Sequence, residues 1–304
     1  MRINPSDQTP MMERLPTRNS LVGENLPIRR ALPNRVRRTI GAWCFLDHAG
    51  PITVDAQQIR IGPHPHMGLQ TFTWMIAGEL LHRDSLGFEQ VLRPGQVNLM
   101  TAGHGIAHSE ESLPMPGPTP FHMAQLWIAL PDVQRHGPGE FQHYPTLPVV
   151  HQDGFTITVL AGEFLEQVSP VQVHSPLLGL DLACTDHADT CLPLNPAFEH
   201  GVLVLEGELK IAGESLESGT LLYLGANRSQ LHIQAADDAR LLLLGGEPFD
   251  EKILLWWNFV ARSEAEIIQA TEDWTSHSAR FGEVSSYRGE RMAAPSTEGI
   301  RFRK

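Results

Sequence analysis

The chain has 304 residues, room for two domains of ordinary size, and its 41% hydrophobic and 19% charged content is that of a globular protein. A formal net charge of −12 excludes a general nucleic-acid-binding surface, and no apolar run reaches the length of a membrane span. The first twenty residues lack the apolar core of a signal peptide, and the three cysteines (Cys44, Cys184, Cys191) show no CxxC spacing. A reducing, cytoplasmic setting is therefore expected.

Residues 1–20 read as a flexible segment. Next come Arg29, Arg30, Arg35, Arg37 and Arg38, which read first as internal ion pairs or a solvated strand edge and only second as a phosphate-binding arm. From Arg37 onward, short apolar runs recur between turn residues. Gln70–Ile76 ends at Ala77-Gly78, Gln90–Leu92 at Arg93-Pro94-Gly95, Val97–Met100 at Gly103-His104-Gly105, and Ala124–Leu130 at Pro131-Asp132. This cadence predicts an antiparallel sandwich or barrel over 21–135.

A Pro/Gly-rich linker is expected at 136–149. The cadence then restarts in a second β-domain over 150–304, where Glu206-Gly207-Glu208-Leu209 echoes Ala77-Gly78-Glu79-Leu80. Ser263-Glu264-Ala265-Glu266 has the capping-box pattern, and Ile267, Ile268 and Trp274 predict an amphipathic helix of about three turns, followed by a tail. The fold class expected is all-β, with two tandem domains and a short C-terminal helix.

The chemistry concentrates in the first domain. His64-Pro65-His66 is answered by His108-Ser109-Glu110. On a strand, i and i+2 side chains share one face roughly 6.5–7 Å apart. Two such strands can bring three imidazoles and a carboxylate to one point. That donor set suits Fe(II), Mn(II), Co(II), Ni(II), Cu(II) or Zn(II) and excludes Ca(II) and Mg(II). Four protein ligands on an octahedral ion would leave two positions for substrate or dioxygen, and Glu110 is the candidate general base. The second domain does not repeat the set: the matching positions are Pro193, Asn195, His232 and Gln234.

Other residues carry smaller expectations. His104 and His122 read as hydrogen-bonded turn histidines, and His143 and His187 as solvated. Gln125 is a candidate partner for a ligand imidazole. Trp256-Trp257 reads as core or a seam between domains.

The strings Pro63-His64-Pro65-His66-Met67-Gly68, His82-Arg83-Asp84-Ser85-Leu86-Gly87, Met100–Glu110 and Gln125–Pro131 closely resemble the pirin family. Phe141–Pro145 and Gly225–Arg228 extend the resemblance, so that it covers about residues 20 to 260. The resemblance implies two cupin barrels with one metal, usually iron, in the first, and it places the ligands on His64, His66, His108 and Glu110. It also implies quercetin 2,3-dioxygenase activity, with a flavonol-like aromatic substrate and O2 as partners. The alternative it carries is an iron-dependent redox-sensing protein that binds a transcription factor or metabolic enzyme, with Arg29–Arg38 as a contact. Another cupin chemistry, isomerase or zinc hydrolase, stands third. Met67, Leu69-Gln70 and Gln96 depart from the common pattern of the family and bear on pocket shape, not on ligation.

Overall fold

The computed structural model describes residues 11–23, 25–54, 59–114 and 117–299. Two compact units emerge. One comprises Asn19–Arg30, Trp43–Leu147 and the chain from Asp250 onward; the other comprises the chain up to Arg18, Ala31–Ala42 and Pro148–Phe249.

Each unit is built from a seven-stranded and a four-stranded antiparallel sheet. In the first unit the larger sheet runs Glu140–Tyr144, Val97–Thr101, Leu69–Ala77, Thr119–Ala129, Trp43–Val54, Leu26–Leu32 and Arg18–Val22. The smaller runs Arg60–His66, Ile106–Glu111, Leu80–Asp84 and Glu89–Leu92. The second unit repeats the order. Its larger sheet is Glu13–Pro16, Thr220–Gly225, Glu199–Glu206, Ala239–Gly246, Leu177–Cys184, Phe155–Ala161 and Val149–Gln152; its smaller is Ala188–Pro193, Gln230–Ala235, Glu208–Ile211 and Glu214–Glu217. Short alternating strands punctuated by positive-φ glycines, Gly78 and Gly207 among them, give this cadence its physical form.

The cores follow the alternation. In the second unit, Ile157, Val159, Leu180, Leu182, Val202, Val204, Leu241 and Leu243 pack together. In the first, Ile59, Met75, Leu80, Leu92 and Phe121 do the same. A second cluster there joins Met67 and Ala107 to Phe259, Ile267, Trp274 and Phe281.

Three boundaries differ from the sequence reading. Of residues 1–20, the part described is strand: Glu13–Pro16 pairs with Thr220–Gly225, register Glu13 opposite Tyr223. Residues 1–10 lie outside the described residues. The linker supplies an edge strand, Glu140–Tyr144, to the first unit, and its last residue begins the edge strand Val149–Gln152 of the second. The C-terminal segment, assigned by sequence to the second domain, belongs to the first unit instead, because its apolar face is buried against Met67 and Ala107. Its helix, Glu264–Thr275, is capped by Ser263, whose side chain accepts from the Glu266 amide. Ile267 and Trp274 are buried as expected, whereas Ile268 is exposed.

Three arginines of the cluster are engaged within the fold, while Arg35 is exposed. Arg29 donates to the Gly50 carbonyl, and Arg30 forms a bidentate pair with buried Asp47. Arg37 lies over the Tyr223 ring and beside Glu13. These contacts match internal pairing rather than a free basic arm. All three cysteines are free, and burial pushes the Cys44 thiol up to about 12. No helix among the described residues is long and apolar enough to cross a membrane.

Candidate metal centre

Arg60–His66 is an edge strand of the four-stranded sheet, and this is why it tolerates Pro63 and Pro65, neither of which can donate to a ladder. Among the described residues it pairs in the sheet with Ile106–Glu111, with His64 opposite His108 and His66 opposite Ile106. Beyond His108 the register shifts: Glu110 stands opposite Ile61, three residues back from His64 while only two beyond His108. The extra residue forms a bulge, a common device for re-aiming side chains beside a site. Within it the Gly62 carbonyl accepts from His64 Nδ1 at 2.9 Å.

The three imidazoles converge. One nitrogen from each of His64, His66 and His108 lies within 4.8 Å of the others, and all three residues are buried. The His66 and His108 Nε2 atoms are 3.1 Å apart. His66 Nδ1 donates to the Asn258 carbonyl at 3.1 Å, and because a carbonyl only accepts, that bond leaves His66 Nε2 bare. His64 is fixed in the same sense by Gly62. Bare lone pairs pointed at one another in a buried space suit a cation between them, so the donor set fits a divalent transition metal.

Burial lowers His64 to about 4 and holds His66 and His108 well below the usual imidazole range, with neighbouring imidazoles adding to the effect. All three are therefore neutral at pH 7, the form that ligates.

Glu110 is buried on the same strand as His108, and the group of mutually close ligand atoms comprises the three histidines. Burial raises the Glu110 carboxyl to about 7, so near neutrality it can both hold and release a proton.

Sequence reasoning missed two contributors. His82, buried on Leu80–Asp84, brings Nδ1 to 3.3 Å from His108 Nδ1 and stacks on Phe141 at 4.3 Å. Its only signal was the His82-Arg83-Asp84 string. The other is Asn258, at the turn of the hairpin Leu254–Trp256 and Phe259–Ala261, where Trp257 adopts φ +50. Trp256-Trp257 does pack apolar surface, but its turn also presents the carbonyl that orients His66. Trp127 completes a wall, edge-on to His66 at 5.1 Å and stacked on Phe45 at 3.9 Å.

Several sequence candidates lie elsewhere. Gln125 accepts from Thr73 and donates to Leu126, with no bond to a ligand imidazole. His122 is a buried strand residue paired with His48 at 2.7 Å, not a turn histidine. His143, on the strand Glu140–Tyr144, is half-buried and bonds Asn98 on Val97–Thr101 instead of being solvated, while His187 is exposed as expected. His104 is exposed in a turn, its carbonyl bonded by Arg280. In the second unit, His232 and Gln234 both bond Asp189, and among the described residues no metal-type cluster forms there.

Two cupin barrels, one of them carrying a three-histidine centre, define a metal-binding bicupin. A family model for pirin matches residues 25–128, and one for the pirin C-terminal cupin domain matches 179–282. Protein PA1205 of Pseudomonas aeruginosa is 51% identical over 286 residues, covering 94% of this chain and 90% of that one. A pirin-like protein of Caulobacter vibrioides is 33% identical over 82% of this chain and 88% of its own length. The crystal structure of a quercetin 2,3-dioxygenase from Acinetobacter baumannii is 50% identical, with TM-score 0.92, covering 96% of this chain and 98% of that one. The chain belongs to the pirin family.

Proposed function

We propose that this protein is a pirin-type dioxygenase that opens the ring of a flavonol such as quercetin at a single divalent metal, with Fe(II) as the resident ion. His64, His66 and His108 hold the metal, and Glu110 serves as a fourth, detachable ligand and as the base. The observation that carries this reading is the convergence of three buried imidazoles at one point, with the buried Glu110 on the same strand as His108. Likeness to the Acinetobacter baumannii enzyme supports the substrate class.

A metal in this centre supplies a chelating Lewis acid and a path for electrons between the flavonol and O2. The chain does the rest. His66 and His64 are locked by the Asn258 and Gly62 carbonyls, so the donor atoms are held in place before substrate arrives. Glu110 accepts the proton of the flavonol hydroxyl; with its carboxyl raised to about 7, a usable fraction is ionised near neutrality and it is a stronger base than an ordinary carboxylate. Trp127 and Phe45 present aromatic surface on the His66 side and keep bulk water away.

The test is aerobic incubation with quercetin after loading with Fe, Mn, Ni, Co or Cu in turn. Release of carbon monoxide with consumption of O2 is expected. Absence of turnover with every one of these metals would overturn the assignment.

A further inference from the structure

The three converging imidazoles do not share one kind of partner at Nδ1. His64 and His66 face carbonyl oxygens, which fix their protons without ambiguity. His108 Nδ1 faces another ring nitrogen, His82 Nδ1, at 3.3 Å. Two ring nitrogens can bond only if one carries hydrogen and the other is bare, so the tautomer of His108 depends on the tautomer of His82.

His82 in turn is fixed by Asp84. Its Nε2 lies 3.1 Å from Asp84 Oδ2, and the Asp84 side chain is fully buried. The other carboxylate oxygen accepts from the Leu86 and Phe88 amides at 2.9 and 3.0 Å, so the carboxylate is anchored to its own turn. A carboxylate only accepts, so Nε2 of His82 carries a hydrogen, and in the neutral ring Nδ1 is bare. His108 must then donate from Nδ1, which leaves Nε2 bare toward His64 and His66.

Strand pairing builds this chain of bonds. Asp84 stands opposite His108 and His82 opposite Glu110, on the side of Ile106–Glu111 away from the bulge. Stacking on Phe141 holds the His82 ring in plane.

We propose that Asp84 and His82 are positioning residues, a carboxylate–imidazole relay that holds His108 in the one tautomer able to ligate a metal. The inference rests on the reading of His108 as a ligand. The hydrogen-bond partners of ligating histidines tune affinity by about 10–100-fold, which sets the scale of the expected effect.

Asp84→Asn is the informative variant. Its amide oxygen can keep the Leu86 and Phe88 bonds, while its NH2 group, turned to His82 Nε2, makes that nitrogen an acceptor. His82 then donates from Nδ1, and the hydrogen of His108 moves onto Nε2, where it blocks the metal. Zinc affinity is measured by chelator competition, and ring-nitrogen protonation by 15N NMR of the zinc-loaded protein.

In the unmodified protein, His108 should carry hydrogen on Nδ1 and His82 on Nε2. Asp84→Asn should weaken zinc about 10–100-fold while leaving the thermal midpoint of the metal-free protein nearly unchanged. The double variant Asp84→Asn, His82→Asn, which places an amide oxygen where His82 Nδ1 stood, should recover most of the loss. Unchanged affinity in Asp84→Asn, or a double variant no better than the single one, would overturn the relay. Hydrogen on His82 Nδ1 in the zinc-loaded unmodified protein would do so even if no variant folds. Zinc binding with that wrong tautomer removes the relay alone, whereas an unmodified protein that binds no zinc removes the metal centre with it.

Discussion

His66 and His108 set their Nε2 atoms 3.1 Å apart, with the His64 ring 4.4 Å from that of His108. Each nitrogen offers a lone pair, and a cation between them converts repulsion into coordination. Replacing any one of the three by alanine should lower metal affinity by roughly 100-fold, about a quarter of the binding free energy typical of four-ligand zinc sites. Elemental analysis with chelator competition checks this. Retention of a full equivalent at unchanged affinity would remove that residue from the ligand set.

Glu110 makes the metal-free protein sensitive to pH in a direction that can be worked out. Its folded pKa, about 7, exceeds the ordinary 4.5. Between those values the native state binds more protons than the unfolded one. The stabilisation is therefore complete below pH 4.5 and is lost as pH rises through 7. Glu110→Gln should be more stable than the parent at pH 8, by on the order of 3 kcal/mol, and no more stable at pH 4. Chemical denaturation of the metal-free proteins at both pH values decides it; equal stability at pH 8 would mean the carboxyl is not destabilised by burial.

Gly68 has no side chain to ligate a metal yet should matter to the centre. Its φ is +70, and a Cβ there would lie 2.1 Å from the Val260 carbonyl oxygen. Gly68→Ala should push the Leu254–Ala261 hairpin away from His66 and withdraw the Asn258 carbonyl. Metal affinity should fall about 10-fold or more, read by the same competition assay. Parent-like affinity would show that the hairpin does not steady His66.

Legibility in the sequence followed the kind of interaction. His64, His66 and His108 could be found because two i, i+2 pairs announce a shared face. The bulge between His108 and Glu110 could not, since it depends on how Arg60–His66 registers against its neighbour. His82 reaches the centre from a third strand, and Asn258 acts through its backbone from 192 residues away, where side-chain identity carries no signal. The repeat of the two barrels showed in turn strings such as Glu206-Gly207-Glu208. Glu13–Pro16 did not, because so short a polar segment becomes a strand only through the pairing that Thr220–Gly225 offers.

In the second barrel, Arg240 grips the buried Asp181 carboxylate with Nε and Nη2 at 2.8–3.0 Å. Arg240→Met should cost about 3 kcal/mol, because it strands a charge in the interior, and adding Asp181→Asn should restore much of that. Urea denaturation of both variants tests the pair; an unperturbed single variant would show that the carboxylate has enough other support.

The carbonyl that orients His66 belongs to Asn258 and therefore leaves the ribosome only after every strand of the second barrel. The three imidazoles therefore emerge well before the carbonyl that orients one of them: a chain released before residue 258 would carry all three histidines and still lack the lock on His66.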